Sequence, residues 1–118
     1  MTAPTTIRLS NDKKMLTVAF TDIMADLPAE LLRVESPSAE IQGHGPQEKR
    51  TIGGKQNVTI TKIDPVGNYA IKLIFSDGHQ TGFYTWEYLH TLAHNQTDIW
   101  QNYLTNLEKT GLSRTQAV

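Results

Sequence analysis

Leu16, Val18 and Phe20 alternate with Thr17 and Ala19, which places three large apolar side chains on one face of a strand. Ile7-Arg8-Leu9 carries the same period of two, and Asn11-Asp12-Lys13-Lys14 between the runs reads as a turn, so a β-hairpin is predicted. A short strand around Ile23-Met24-Ala25 follows. Pro28 then suits the first position of a short helix, with Glu30 in its first turn and Leu31-Leu32 facing inward. The period of two returns in Val58-Thr59-Ile60-Thr61-Lys62-Ile63. It returns again in the segment that sets Tyr69, Ile71, Leu73 and Phe75 on one face. Asp64-Pro65-Val66-Gly67-Asn68 is predicted to turn between these strands. Asp77-Gly78 is a strong hairpin dipeptide and leads into a strand over residues 81–84.

The period then changes to that of a helix. Thr85 is placed to cap a helix that puts Trp86, Leu89, Leu92 and Ala93 on one face. Thr97 or Asp98 is placed to cap a second, with Ile99, Tyr103, Leu104 and Leu107 as its buried stripe and Gly111 as its stop. The predicted class is α+β: a small antiparallel sheet or meander, a short helix after the first hairpin, and two C-terminal helices packed on one side. The expected organisation is a disordered stretch over 1–6, a single domain over 7–112 and a flexible tail over 113–118.

Composition narrows the chemistry. The chain has 118 residues and no cysteine, so disulfides and thiolate metal sites are excluded on this chain alone. Eleven basic against twelve acidic side chains, a formal net charge of −1, argue against a nucleic-acid binder. No apolar run spans a bilayer, and the first six residues lack the pattern of a secretory signal, so a cytoplasmic protein is expected.

Several residues invite a chemical reading. The long polar segment over 34–55, with Gly43-His44-Gly45-Pro46 inside it, has the length of a functional loop. His44 there is either a ligand-facing imidazole or a solvated turn residue. His79 follows the Asp77-Gly78 turn and offers two ring nitrogens to a metal or to a backbone carbonyl. His90 and His94 share a helix face and could hold a metal. Thr91 stands where the zinc-protease pattern needs Glu, and a solvated face is the preferred reading. Gly53-Gly54-Lys55 fails as a phosphate loop, because Lys49 and Gln56 occupy the positions of its other defining residues; a mobile turn is expected. Ser36, Ser38, Ser76 and Ser113 lie in no nucleophile-elbow pattern.

Five pieces follow one another in order: Leu27-Pro28-Ala29-Glu30-Leu31-Leu32-Arg33-Val34, Ser36-Pro37-Ser38-Ala39-Glu40, Gly43-His44-Gly45, Ile63-Asp64-Pro65-Val66-Gly67-Asn68-Tyr69-Ala70, and Phe75-Ser76-Asp77-Gly78-His79 with Gly82-Phe83-Tyr84-Thr85-Trp86-Glu87-Tyr88-Leu89. Together, over residues 7–95, they resemble the domain of unknown function 971, the gamma-butyrobetaine hydroxylase-like N-terminal domain. In gamma-butyrobetaine and trimethyllysine dioxygenases a related domain precedes the catalytic jelly roll. It holds zinc through a Cys-x-Cys-x-x-Cys run and one histidine. Here the resemblance places that run on Ser36, Ser38 and Ile41, and only His79 matches. A similar domain is appended to Mrp/ApbC-type ATPases that carry iron–sulfur clusters.

The expectation is therefore a non-enzymatic accessory module that binds a protein partner, an iron–sulfur carrier ATPase or a dioxygenase, without nucleic acid or membrane. Ser36, Ser38, Glu40, His44, Tyr84 and Trp86 are the candidate contact residues. The alternative is a zinc- or iron-binding domain that has lost its cysteine ligands. It would use His44 and His79 with a carboxylate such as Glu40 or Asp77, and no intrinsic cofactor is otherwise expected. A third idea is a detached regulatory domain for a separately encoded dioxygenase.

Overall fold

The computed structural model describes residues 1–43 and 45–115; His44 and residues 116–118 lie outside the described residues. The alternating apolar positions do form strands, but in two sheets. Strands β1 (Thr6–Leu9), β2 (Met15–Ala19) and β3 (Met24–Pro28) make one antiparallel sheet in that order. Strands β4 (Ile60–Val66), β5 (Ala70–Phe75) and β6 (Phe83–Thr85) make the other. Helices α1 (Ala29–Val34) and α2 (Ala39–Gln42) and a 3₁₀ turn (Pro46–Glu48) lie between the sheets in sequence. Helices α3 (Trp86–His94) and α4 (Gln96–Thr110) close the chain. The α+β class is as expected. No helix among the described residues is long and apolar enough to cross a membrane.

One core joins the two sheets. Leu16, Val18, Phe20 and Leu27 from the first sheet meet Ile60, Ile71, Leu73, Phe75 and Tyr84 from the second, with Leu31 and Leu32 of α1 and Leu89 and Leu92 of α3. The sheets are also tied through the backbone, since the Ile60 N–H donates to Lys13 O. Helix α4 builds a smaller cluster of Tyr103 and Leu107 against Val34. Thr85 caps α3 as expected, its hydroxyl accepting from the Tyr88 N–H, and Gly111 ends α4 in the left-handed conformation.

Several boundaries differ from expectation. Pro28 ends β3 and stands before α1, not inside it. Asp64, Pro65 and Val66 belong to β4, and the turn is confined to residues 67–69. Pro65 is tolerated because β4 is an edge strand, where a missing N–H breaks no central ladder. Tyr69 therefore sits on the turn and is exposed. Helix α4 starts after Asn95, without a side-chain cap from Thr97 or Asp98.

The 34–55 stretch holds α2 and the 3₁₀ turn and runs on over 49–55 without a regular element. Gly53-Gly54 is a packing site: a Cβ on Gly53 would come within 2.5 Å of Ser113 O, and the Gly54 N–H donates to that same carbonyl. The stretch expected as a flexible tail is held as far as residue 115. Gln56 N–H donates to Arg114 O, and the Arg114 guanidinium forms a bidentate pair with Glu30 at 2.7 and 2.9 Å. At the other end Thr5 donates to Ala19 O, and β1 begins at Thr6, inside the stretch expected to be disordered.

Candidate functional site

Helix α1 ends in residues that cannot continue it: Pro37 follows two positions after the C-cap Glu35, and its ring removes an N–H donor. The chain leaves the helix across the 77–82 segment, and this crossing concentrates buried polar groups. The Ser36 hydroxyl lies 2.9 Å from His79 Nε2, and the Ser38 hydroxyl 3.4 Å from it. The Ser38 N–H donates to Ser36 Oγ, and Gln42 donates to Ser36 O at 2.9 Å. On the other side of the ring, Nδ1 stands 3.6 Å from a Glu40 carboxylate oxygen. Gly82 backs the cluster so closely that a Cβ there would meet Ser36 Oγ at 2.4 Å.

Charges frame this knot. Asp77 accepts from Arg33 Nε at 2.8 Å and from Lys55 at 2.7 Å, while its other oxygen takes the His79 N–H. Burial pushes the Asp77 carboxyl up, but hydrogen bonds from Lys55, the His79 backbone and Arg33 outweigh it and hold the pKa at about 2. Burial, aided by the Arg33 charge, pushes the His79 pKa below its ordinary value, so the ring is neutral at pH 7. The tautomer that suits its neighbours keeps Nδ1–H toward Glu40, so that Nε2 accepts from the Ser36 hydroxyl. Two tyrosines fix the end of α1 from behind. Tyr84 donates to Leu32 O and Tyr88 to Glu35 O, and burial raises both phenol pKa values. Lys49 pairs with Glu35.

The arrangement decides two chemical questions. Ser36, His79 and Glu40 stand in the order of a hydrolytic triad, but Ser36 is fully buried and Gly82 packs directly against its hydroxyl. The zinc that the resemblance implies does not fit these residues. Two neutral hydroxyls and the aliphatic Ile41 stand where thiolates would be, and the His79 nitrogen that faces them is already hydrogen-bonded. The serines satisfy the histidine that a metal would otherwise engage.

The expected contact residues divide in two. Ser36, Ser38 and Tyr84 are buried and act as supports, Trp86 is half-buried with its indole N–H on Asn68 O, and Glu40 is exposed. His44 lies outside the described residues, and Asp77 is engaged by Arg33 and Lys55. A shallow hollow of about 290 Å³ opens beside the knot, bordered by Lys55, Asn57, Ser76, Asp77 and Arg114.

A second cluster joins residues that lie far apart in the sequence. Asp22, in the turn between β2 and β3, reaches both His90 and His94 on α3. The spacing of the two histidines was visible; their partner, 68 residues earlier than His90, carried no local signal.

The family model described as gamma-butyrobetaine hydroxylase-like, N-terminal, matches residues 7–90. A solution NMR structure superposes with a TM-score of 0.85 at 45% identity, covering 100% of this chain and 95% of that one. Another superposes at 0.82 and 44% identity, covering 100% of this chain and 89% of its own. A crystal structure from Acidithiobacillus ferrooxidans ATCC 23270, of a protein of unknown function in the domain of unknown function 971 family, matches at 38% identity and a TM-score of 0.63. It covers 76% of this chain and 91% of that one. No curated protein matches the chain.

Proposed function

The chain belongs to the gamma-butyrobetaine hydroxylase-like N-terminal family, and from that premise we propose that it is a non-catalytic recognition module serving iron–sulfur protein maturation. Its partner in this reading is a carrier ATPase of the Mrp/ApbC type. What supports the reading is the knot at the end of α1. A buried hydrogen bond from Ser36 to His79 and a part-buried one from Arg33 to Asp77 lock two distant segments into one face. That face carries the exposed Glu40, Gln80 and Thr81 and borders the polar hollow at Lys55 and Asn57. Recognition surfaces gain from such rigidity, because less conformational freedom is lost on binding. The closed serine hydroxyl and the unsuited metal ligands leave binding as the role these residues fit best.

The test is biolayer interferometry between the untagged chain and a purified Mrp/ApbC-type ATPase. Thr81→Arg and Gln80→Glu alter the exposed face without touching the buried bonds. The expected result is micromolar binding that weakens at least about ten-fold in each variant, near 1.4 kcal/mol. Absence of binding at about 100 μM, or binding indifferent to both changes, would sink the proposal.

A further inference from the structure

Helix α3 places His90 and His94 one turn apart, on the face that meets the β2–β3 turn. Asp22 stands in that turn, which the Phe20 N–H closes by donating to Ile23 O. Its carboxylate lies 2.9 and 3.1 Å from His90 Nε2, and one of the same oxygens lies 2.9 Å from His94 Nε2. Phe20 meets the His90 ring edge-on at 5.0 Å, and the two imidazoles are tilted against each other at 4.4 Å. One ligand atom from each of the three residues falls within a sphere where all lie inside 4.8 Å of one another.

The two Asp22–imidazole separations are those of neighbouring ligands around one ion. Two donors each about 2.1 Å from a shared centre, at angles between octahedral and tetrahedral, stand roughly 3.0–3.4 Å apart. Asp22 already stands at that spacing from both rings, and the imidazole nitrogens lie within 4.8 Å of each other. The side chains are 24%, 43% and 52% exposed for His90, His94 and Asp22, so an ion can enter and water can complete its shell. His94 also borders an open hollow of about 300 Å³ that includes Asn95, Gln96 and Asp98.

We propose that Asp22, His90 and His94 form a binding site for a divalent transition metal, of the two-imidazole, one-carboxylate type that suits Zn(II) and Fe(II). In the metal-free state the Nε2 hydrogens donate to Asp22. On binding, each ring carries its hydrogen on Nδ1 and gives the Nε2 lone pair to the ion. The site is separate from the His79 knot and shares no residue with it.

Zn(II) and Co(II) titrations of the untagged protein, followed by calorimetry and by cobalt absorption, test this directly. One equivalent should bind in the micromolar range and raise the melting temperature. Asp22→Asn and His94→Ala should each weaken binding at least about ten-fold, the lower end of what losing even an outer-shell partner costs. His44→Ala should leave binding unchanged. Proton NMR of the His90 and His94 rings should shift with added Zn(II). The proposal is overturned if neither ion binds below about 1 mM, if binding survives both cluster variants, or if His44→Ala removes it. Should the variants lower the melting temperature while the parent binds no metal, the cluster is a hydrogen-bonded clip and the site is refuted.

Discussion

Replacing His79 with alanine tests the knot that holds the candidate face together. The imidazole is 4% exposed, its Nε2 is bonded to Ser36, and its ring leans on Phe75 with centroids 6.1 Å apart. Losing the bond removes about 1 kcal/mol, and the buried hydroxyls left short of a partner add roughly 1–3 kcal/mol. Ser36 Oγ keeps the Ser38 N–H, which moderates that cost. The expected loss is therefore about 2–4 kcal/mol, against a stability of roughly 6–18 kcal/mol for a domain of 118 residues. Urea unfolding followed by tryptophan fluorescence at pH 8 measures it. A cycle with Ser36→Ala should return a coupling of about 1 kcal/mol, since the partners are in contact. The pH dependence gives a second readout. The His79 pKa is lowered in the folded state, so the ring's contribution is complete above the unfolded value of about 6.5 and is lost as pH falls through the folded value. The parent protein should lose stability as pH drops below about 6.5, and His79→Ala should lack that component. A loss below about 0.5 kcal/mol, or additive single variants, would mean that the Ser36–His79 bond does not hold the knot.

Two further outcomes follow from the same contacts. Tyr84→Phe removes the hydroxyl that Leu32 O accepts, so it should cost about 1–3 kcal/mol in the same unfolding assay; a change within experimental error would show that bond to be dispensable. Ser36→Cys, Ser38→Cys and Ile41→Cys together should bind one zinc per chain with a rise in melting temperature, because His79 already stands at ligand distance from two of the positions. Elemental analysis finding no zinc would place Ile41 outside the coordination sphere.

Local rules read well wherever neighbours in sequence decide the structure. The shared face of Leu16, Val18 and Phe20, the Thr85 cap and the Gly111 stop all depend on side chains within a turn or two of one another. The division into two sheets was not legible, because it depends on which strands pair across the chain, and alternation alone is silent on that. Pro65 misled for a related reason: its cost in a strand depends on whether the strand lies at an edge. The knot joins Ser36 to His79 across 43 residues, and the second cluster joins Asp22 to His94 across 72. Ser36 and Ser38 lie in a polar stretch that reads as surface, and only the fold turns them inward.

The most direct measurement is a titration of the isotope-labelled chain with an Mrp/ApbC-type ATPase, followed by amide chemical shifts. The perturbed residues should gather at 35–43, 55–57 and 77–82, on the face held by Ser36 and His79. No perturbation at all, or perturbations confined to the Asp22, His90 and His94 side of the molecule, would contradict it.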